Sequence, residues 1–388
     1  MAKKARPLVL FLLLYIGFLS TFFVFGAGVY NDSDQYIRMH IHREPLYPLF
    51  LAGLRAVWPE EESWLTAMGV LQNLFAAFSI CAMAEYVARR FRLRFWQEGA
   101  VVFLGVMPYV TTMFFSSLHL LIPNSVMSEA VCLPFFMLFM LECFKIVLER
   151  DRRAVRRASA ASLLLAFLLS LARSQMMLAI LMWLVVTGAE IMLSGPSREK
   201  ERKGGRRGKR IAEDGRRPVQ AKREAMPVPG GNASDWEEAA AVKRIRRKGR
   251  GKSRSRKRIW RDKVLRLLLA VTLVFGIFSL RTLAVRSYNL VFNGHFINNT
   301  YGTVNTLTNV LYAADREDGE RIEDEEARVF FYRMYDLTEE RQANYKYAGK
   351  SLWEKTEHIE AWHDTVKYEM IEDVFYQYYD KNVTSDYI

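Results

Sequence analysis

The residues best suited to chemistry are two carboxylates in the segment Asn-Asp-Ser-Asp-Gln-Tyr at positions 31–36. Asp32 and Asp34 follow the first long apolar run, and a carboxylate there can act as a general base, a metal ligand or a helix cap. Arg43 begins the segment Arg-Glu-Pro-Leu-Tyr-Pro a short distance further on, and a guanidinium can hold two phosphate oxygens at once. Such a segment is ordinarily a solvated loop, but the short apolar segment Leu49–Val57 and the Tyr47-Pro48 pair before it count against that interpretation here.

Two further charged residues lie at the edges of apolar runs. An arginine such as Arg173 is costly near a membrane interface and usually marks a partner or a substrate, although it can also reach lipid headgroups. Glu129 could contact an acceptor, pair with Arg173 or stabilise the start of a helix. For Arg43, the alternative to a ligand is an ion pair with an acid of the same loop.

Three histidines, His40, His42 and His119, are predicted on the same side of the membrane as the two aspartates. Together these side chains offer enough nitrogen and oxygen ligands for a divalent ion. The His-x-His spacing suits one face of a strand, however, and nothing marks this loop as a strand. The sequence therefore predicts no cofactor at this site, with a divalent metal as the alternative.

The elements that must position these residues are apolar runs. The chain has 388 residues, 51% of them hydrophobic, and a mean hydropathy near zero. That average hides runs of about 20 uncharged apolar residues, which are long enough to cross a bilayer. A single soluble core is therefore excluded. The predicted spans are Leu8–Gly28, Trp64–Ala84, Gly99–Leu118, 123–144, the two halves of 158–193, and Val264–Val285.

The run 158–193 is divided at Arg173 for reasons of length and charge. As one helix it would measure about 54 Å, against a hydrocarbon core of about 30 Å. Division places Arg173 at a turn on the outer side of the membrane. The basic residues that precede and follow the run in sequence then both lie on the inner side. Lys and Arg then accumulate inside throughout, which predicts an inside N-terminus and an outside C-terminus.

The net positive charge of the chain comes from one segment. Residues 198–263 hold 25 Lys or Arg and 9 Asp or Glu, whereas the rest of the chain holds 30 and 33. With few aromatics and many glycines, this segment is predicted to be a disordered inside loop held near anionic lipid. Nucleic-acid binding is not favoured, because no aromatic residues are interleaved with the basic ones.

The predicted organisation has four parts, and the fold class is all-α integral membrane. After Tyr47-Pro48, the short apolar segment Leu49–Val57 is predicted to lie in the membrane interface. The residues after the last span, with helical spacing in Glu325–Tyr335 and Trp362–Tyr379, are predicted to form a small helical domain. The parts are 1–195, six spans with a first outer loop at 29–63; 196–263, the basic loop; 264–285, the seventh span; and 286–388, the extracytoplasmic domain.

Asp-x-Tyr after the first span, then Arg-x-Pro-x-Tyr-Pro and a juxtamembrane helix, resembles the GT-C superfamily of integral-membrane glycosyltransferases. The sequence is most similar to bacterial relatives of the dolichyl-phosphate-mannose protein mannosyltransferases and the lipid A aminoarabinose transferases. Pro-Asn-Ser-Val-Met-Ser-Glu at 123–129 agrees, as do a core of about seven spans and an outer domain. The resemblance covers residues 8–300.

The resemblance implies an inverting sugar transfer from a polyprenyl-phosphate donor to a glycan, lipid or protein acceptor, on the outer face of a bacterial plasma membrane. The acidic motif of the superfamily maps onto Asp34 as catalytic base, with Asp32 as second choice. Arg43 and Arg173 are then the donor phosphate ligands, and Tyr36 and Glu129 contact the acceptor or are structural. No nucleic-acid partner is implied.

Two alternatives belong to other classes of function. A non-enzymatic membrane scaffold or assembly factor, or a shortened inactive relative of the glycosyltransferases, would not depend on Asp34. A small transporter would carry several charges along its spans, and this chain has few.

Overall fold

The computed structural model describes residues 2–30, 32–115, 121–194 and 233–371, and within them the chain is helical without strands. The N-terminal helices are α1 (Ala2–Phe25), α2 (Ser33–Ile37), α3 (Leu46–Val57), α4 (Glu61–Phe91), α5 (Phe95–Phe115), α6 (Glu129–Leu148), α7 (Arg152–Ala172) and α8 (Leu178–Leu193). They are followed by α9 (Ala233–Asn293), α10 (Tyr301–Ala313), α11 (Glu325–Glu340) and α12 (Leu352–Asp364). Short 3₁₀ helices at Ile122–Asn124 and Ser174–Met177 precede α6 and α8, and a π-helix at Thr365–Ile371 continues α12.

Within the described residues, six helices are long and apolar enough to cross a membrane. They are Arg6–Phe25, Glu61–Phe91, Glu129–Leu148, Arg152–Ala172, Ser174–Leu193 and Trp260–Asn293. Only 11% of the most apolar stretch of α1 is buried inside the protein, as expected of a surface that faces lipid. These helices indicate a multi-pass membrane protein. The remaining predicted span, 99–118, coincides with α5 as far as Phe115, and its last residues lie outside the described part.

The break in the run 158–193 falls at Arg173, as predicted. Helix α7 ends at Ala172, and Arg173 adopts an extended backbone (φ −151°, ψ 138°) before the short 3₁₀ turn that leads into α8. The predicted juxtamembrane segment is also helical, and α3 begins three residues earlier than the apolar run, at Leu46.

The chain forms two compact units. The first combines Met1–Glu142, Ala160–Ile180 and Ile277–Ile388. In it α1 packs on α4, where Gly69 leaves room for the Phe22 ring: a Cβ at position 69 would lie 2.1 Å from a ring carbon. A second cluster joins α2, α3 and α4 through Tyr36, Tyr47 and Met68, all buried.

The C-terminal helices of the first unit have their own apolar core, built around Val304, Leu311, Phe330 and Met334. Helix α12 begins with a capping box formed by Ser351 and Glu354. The side chain of each residue accepts a hydrogen bond from the backbone N–H of the other. The helix predicted from Glu325–Tyr335 is thus present as α11, whereas residues 372–379 lie outside the described part. A separate domain at 286–388 stays a prediction, because these helices belong to the same compact unit as Met1–Glu142.

The second unit combines Cys143–Ser159 and Leu181–Gly276. Ile146, Val155 and Ala158 form its apolar cluster, and the Trp183 indole N–H donates to the Ser159 carbonyl at 2.8 Å.

Helix α9 begins at Ala233, inside the segment predicted to be disordered. Its backbone is helical from there to Asn293, since Ala, Glu, Lys and Arg favour a helix without any core to bury. Residues 195–232 lie outside the described part, so disorder there stays a prediction.

Candidate functional site

The candidate site is built at the end of α1, where the chain pairs with the segment before α6. The Gly28 N–H donates to the Asn124 carbonyl at 2.9 Å, and the Val126 N–H donates to Gly28 at 2.8 Å. The Ser33 hydroxyl, fully buried, donates to the Val126 carbonyl at 2.8 Å. These bonds hold α2, with its aspartates, beside Glu129 at the start of α6.

Gln72 and Asn73 of α4 hold the segment before α6 in place through hydrogen bonds to residues 123–125. The Gln72 amide donates to the Pro123 and Ser125 carbonyls at 3.1 and 3.0 Å, and Asn73 donates to the Asn124 side chain at 3.0 Å. The Tyr47 hydroxyl of α3 donates to Oε1 of the Gln72 side chain at 3.0 Å. Polar groups buried this deeply stabilise the fold only when paired, and here the pairing sets the geometry of the outer loop.

Arg43 is the centre of the cluster. Its side chain is 6% exposed and its Nη2 lies 2.7 Å from Asp32 Oδ1. The Arg43 Nε donates to Gln35 Oε1 at 2.8 Å, and Nη1 donates to the Tyr36 hydroxyl at 3.2 Å. A buried guanidinium with this many partners has a fixed orientation. The alternative foreseen for Arg43, an ion pair with a loop acid, is therefore present.

The two aspartates have different surroundings. Asp32 is 25% exposed and held by buried Arg43, whereas Asp34 is 60% exposed and pairs with Arg38 at 2.8 Å on the outside of α2. Asp32 occupies the N-cap position of α2 without making a side-chain cap bond. The structure thus brings Asp32 into the cluster and leaves Asp34, the first choice from sequence, outside it.

Tyr36 links Arg43 to the start of α6. Its hydroxyl lies 3.0 Å from the Ser128 Oγ, and the Arg43 guanidinium lies 4.6 Å from the centre of its ring. Burial raises the pKa of the Tyr36 hydroxyl even though Arg43 lies beside it. The hydroxyl therefore stays protonated and can donate a hydrogen bond.

Arg173 forms an ion pair with Glu129, one of the three possibilities considered for that glutamate. Both side chains are 28% exposed, which makes Arg173 far more accessible than Arg43. The two arginines nevertheless line one small cavity, of about 20 Å³, together with Tyr36, His42 and Glu44.

Sequence reasoning missed a buried acid in this cavity wall. Glu44 is 4% exposed, and its Oε1 accepts hydrogen bonds from Arg281 of α9 and from Asn299. Burial raises the pKa of Glu44 to about 7, against the opposing effects of Arg281 and Asn299. In the sequence, Arg281 stands out as a charge inside the last apolar run. Its partner Glu44 could not be identified in this way, because the two residues are 237 positions apart.

His42 is a second buried group of this loop whose partner lies in the distant part of the chain. It is 3% exposed, and its Nδ1 contacts the Thr300 hydroxyl. Burial, with the nearby charges of Arg43 and Lys367, lowers the pKa of His42 to about 3. The imidazole is therefore neutral at physiological pH, and it lines the cavity while it hydrogen-bonds with Thr300.

The possible metal finds no support in the described residues, where no group of three or more His, Cys, Asp or Glu side chains could hold an ion. His40 and His42 have ring centres 4.4 Å apart, and His119 lies outside the described part. Metal dependence stays a prediction.

Compared with known proteins, the chain matches no protein-family model, no curated protein and no solved structure. The resemblance to the GT-C superfamily therefore rests on the motif residues alone.

Proposed function

We propose that the chain is a membrane glycosyltransferase that moves a sugar from a polyprenyl-phosphate donor to an acceptor at the outer face. The observation that carries the proposal is the cluster itself. Arg43 and Arg173, which differ in burial, line one cavity, and Arg43 also pairs with the partly exposed carboxylate of Asp32. The elements that hold them are an outer loop and two helix ends next to apolar spans. A scaffold would need no such combination.

The roles follow from exposure. Asp32 accepts the proton of the acceptor hydroxyl as the acceptor oxygen bonds to the sugar carbon, and the bond from that carbon to the phosphate oxygen breaks on the opposite side. Arg43 is too buried to leave its partners, so it positions Asp32. Arg173 is accessible and binds the phosphate that departs, since a positioned cation stabilises charge that develops in the transition state.

The resting cavity is too small for the donor. A volume of about 20 Å³ has room for about one water molecule. Binding therefore requires the Arg173–Glu129 pair to open, so that phosphate replaces the glutamate carboxylate as the partner of Arg173.

The test compares matched variants of the two aspartates. Asp32→Asn should lower sugar transfer in purified membranes by about 10²-fold or more, the usual contribution of a general base. Asp34→Asn, which removes the same charge from the outer side of α2, should stay within a few-fold of wild type. Loss of transfer in Asp34→Asn alone would make Asp34 the base, and no loss in either would favour the scaffold.

Donor binding is measured separately, with polyprenyl phosphate as the probe. Arg173→Ala should weaken its binding about tenfold or more, since a hydrogen bond to a charged group contributes about 1.5–3 kcal/mol. Arg38→Ala is the matched control, because Arg38 is also an outer-loop arginine paired with an acid. Equal binding by both variants would contradict the role of Arg173.

A further inference from the structure

The second unit contains a cavity of about 500 Å³ that the proposed sugar transfer does not use. It lies among α6, α7, α8 and α9, and its volume falls within the range of about 300–1,000 Å³ that is typical of small-molecule sites. Its lining belongs to the helix ends that are predicted on the inner side of the membrane.

One end of the cavity is strongly basic. Arg152 and Arg156 of α7 and Arg266 of α9 line it, with Glu190 of α8 as the acid. Arg152 and Arg156 are one turn apart and therefore share a face of α7. The excess of positive charge, from forked guanidinium groups, is suited to a phosphate.

The other end is apolar. Trp183 lies about two turns before Glu190 in α8, and Leu273 lies about two turns after Arg266 in α9, so the cavity continues about 10 Å beyond its basic end. Leu269 and Ala270 complete this wall. In the direction of the predicted membrane interior, the lining thus changes along α9 from the cationic Arg266 to the apolar Leu273, and along α8 from the charged Glu190 to the apolar Trp183.

We propose that this cavity binds an anionic phospholipid of the inner leaflet, with its phosphate at the arginines and an acyl chain along the apolar wall. Basic pockets between membrane helices on the cytoplasmic side are suited to such headgroups. Free phosphate would leave the apolar half of the cavity empty. The basic segment 198–263 has the wrong sign of charge to fill it.

The experiment uses the full chain, purified in detergent and depleted of lipid, with three probes. Phosphatidylglycerol should bind and raise the thermal unfolding temperature, because a ligand of the folded state alone stabilises it. Phosphatidylcholine and inorganic phosphate should not. Equal stabilisation by phosphatidylcholine would overturn the selectivity for negative charge, and equal binding of inorganic phosphate would overturn the lipid as the ligand.

Two double variants separate the cavity from general surface charge. Arg152→Ala with Arg156→Ala should weaken phosphatidylglycerol binding about tenfold or more, from the loss of charge-assisted hydrogen bonds. Arg153→Ala with Arg157→Ala removes the same charge from the same turns of α7, outside the lining, and should bind as wild type. Equal binding by the two double variants would overturn the proposal.

A filled-cavity variant covers the case in which loss of the arginines impairs folding. Ala270 is 3% exposed and lines the apolar wall, so Ala270→Leu occupies the space of the acyl chain while the arginines remain. Phosphatidylglycerol binding should fall in this variant as well. Unchanged binding would show that the lipid does not enter the cavity.

Discussion

At the residue scale, burial has opposite effects on two neighbours in the first outer loop. It lowers the pKa of His42 to about 3 and raises that of Glu44 to about 7. In each case the neutral form is favoured, because a low-dielectric surrounding penalises charge. At neutral pH a neutral imidazole and a partly protonated carboxyl therefore lie near the buried guanidinium of Arg43.

His42 gives the loop a testable pH dependence. Its folded pKa is below the ordinary value of 6.5, so the unfolded chain takes up a proton that the folded chain refuses. Its contribution to stability is complete above pH 6.5 and is lost as the pH falls toward 3, by at most about 1.4 kcal/mol per unit. Thermal unfolding of wild type and His42→Asn between pH 4 and 7 measures it.

The wild type should lose stability more steeply than His42→Asn as the pH is lowered. Glu44 contributes with the opposite sign, since its raised pKa makes stability fall as the pH rises from about 4.5 to about 7. That contribution is common to both proteins and cancels in the comparison. Parallel curves for the two proteins would contradict the buried, neutral state of His42.

At the element scale, the close approach of α1 to α4 depends on one glycine. Gly69→Ala places a methyl group against the buried Phe22 ring, and overpacking of this kind costs about 1–3 kcal/mol. Gly53→Ala in α3 is the control, because nothing lies within 4 Å of its added Cβ. It should be neutral or slightly stabilising in thermal unfolding, since alanine is the better helix former.

Combining Gly69→Ala with Phe22→Leu should restore part of the lost stability. Equal stability of the Gly69→Ala and Gly53→Ala variants would mean that α1 is not held against α4 at this point.

The helices were more predictable than the site they carry. The break at Arg173 follows from the length of an apolar run, which is local information. The sequence does not determine which of Asp32 and Asp34 faces the cluster. Residues two apart project from opposite sides of a helical turn, and their spacing alone does not say which side faces α6. The partners of Glu44 required knowledge of contacts across most of the chain.

At the scale of the whole molecule, the charge asymmetry predicts which surfaces are accessible from outside. With a single cysteine introduced at position 34 or at position 230, a membrane-impermeant thiol reagent added to intact cells should label only the former. The native cysteines Cys81, Cys132 and Cys143 are buried and free, which keeps the background low. Labelling at position 230 alone, or at both positions, would overturn the orientation.

The contacts of Glu44 also set an order in time. Its partners Arg281 and Asn299 lie 237 and 255 positions further along the chain. At about 5–20 residues per second, the ribosome needs roughly 10–50 s to reach Arg281 after Glu44 has been made. The loop that contains Glu44 is therefore made long before the residues that donate hydrogen bonds to Glu44, which arrive only with the last apolar helix and the residues after it. The candidate site is therefore assembled only near the end of synthesis, and a chain released before Arg281 would carry the N-terminal apolar helices without these contacts of Glu44.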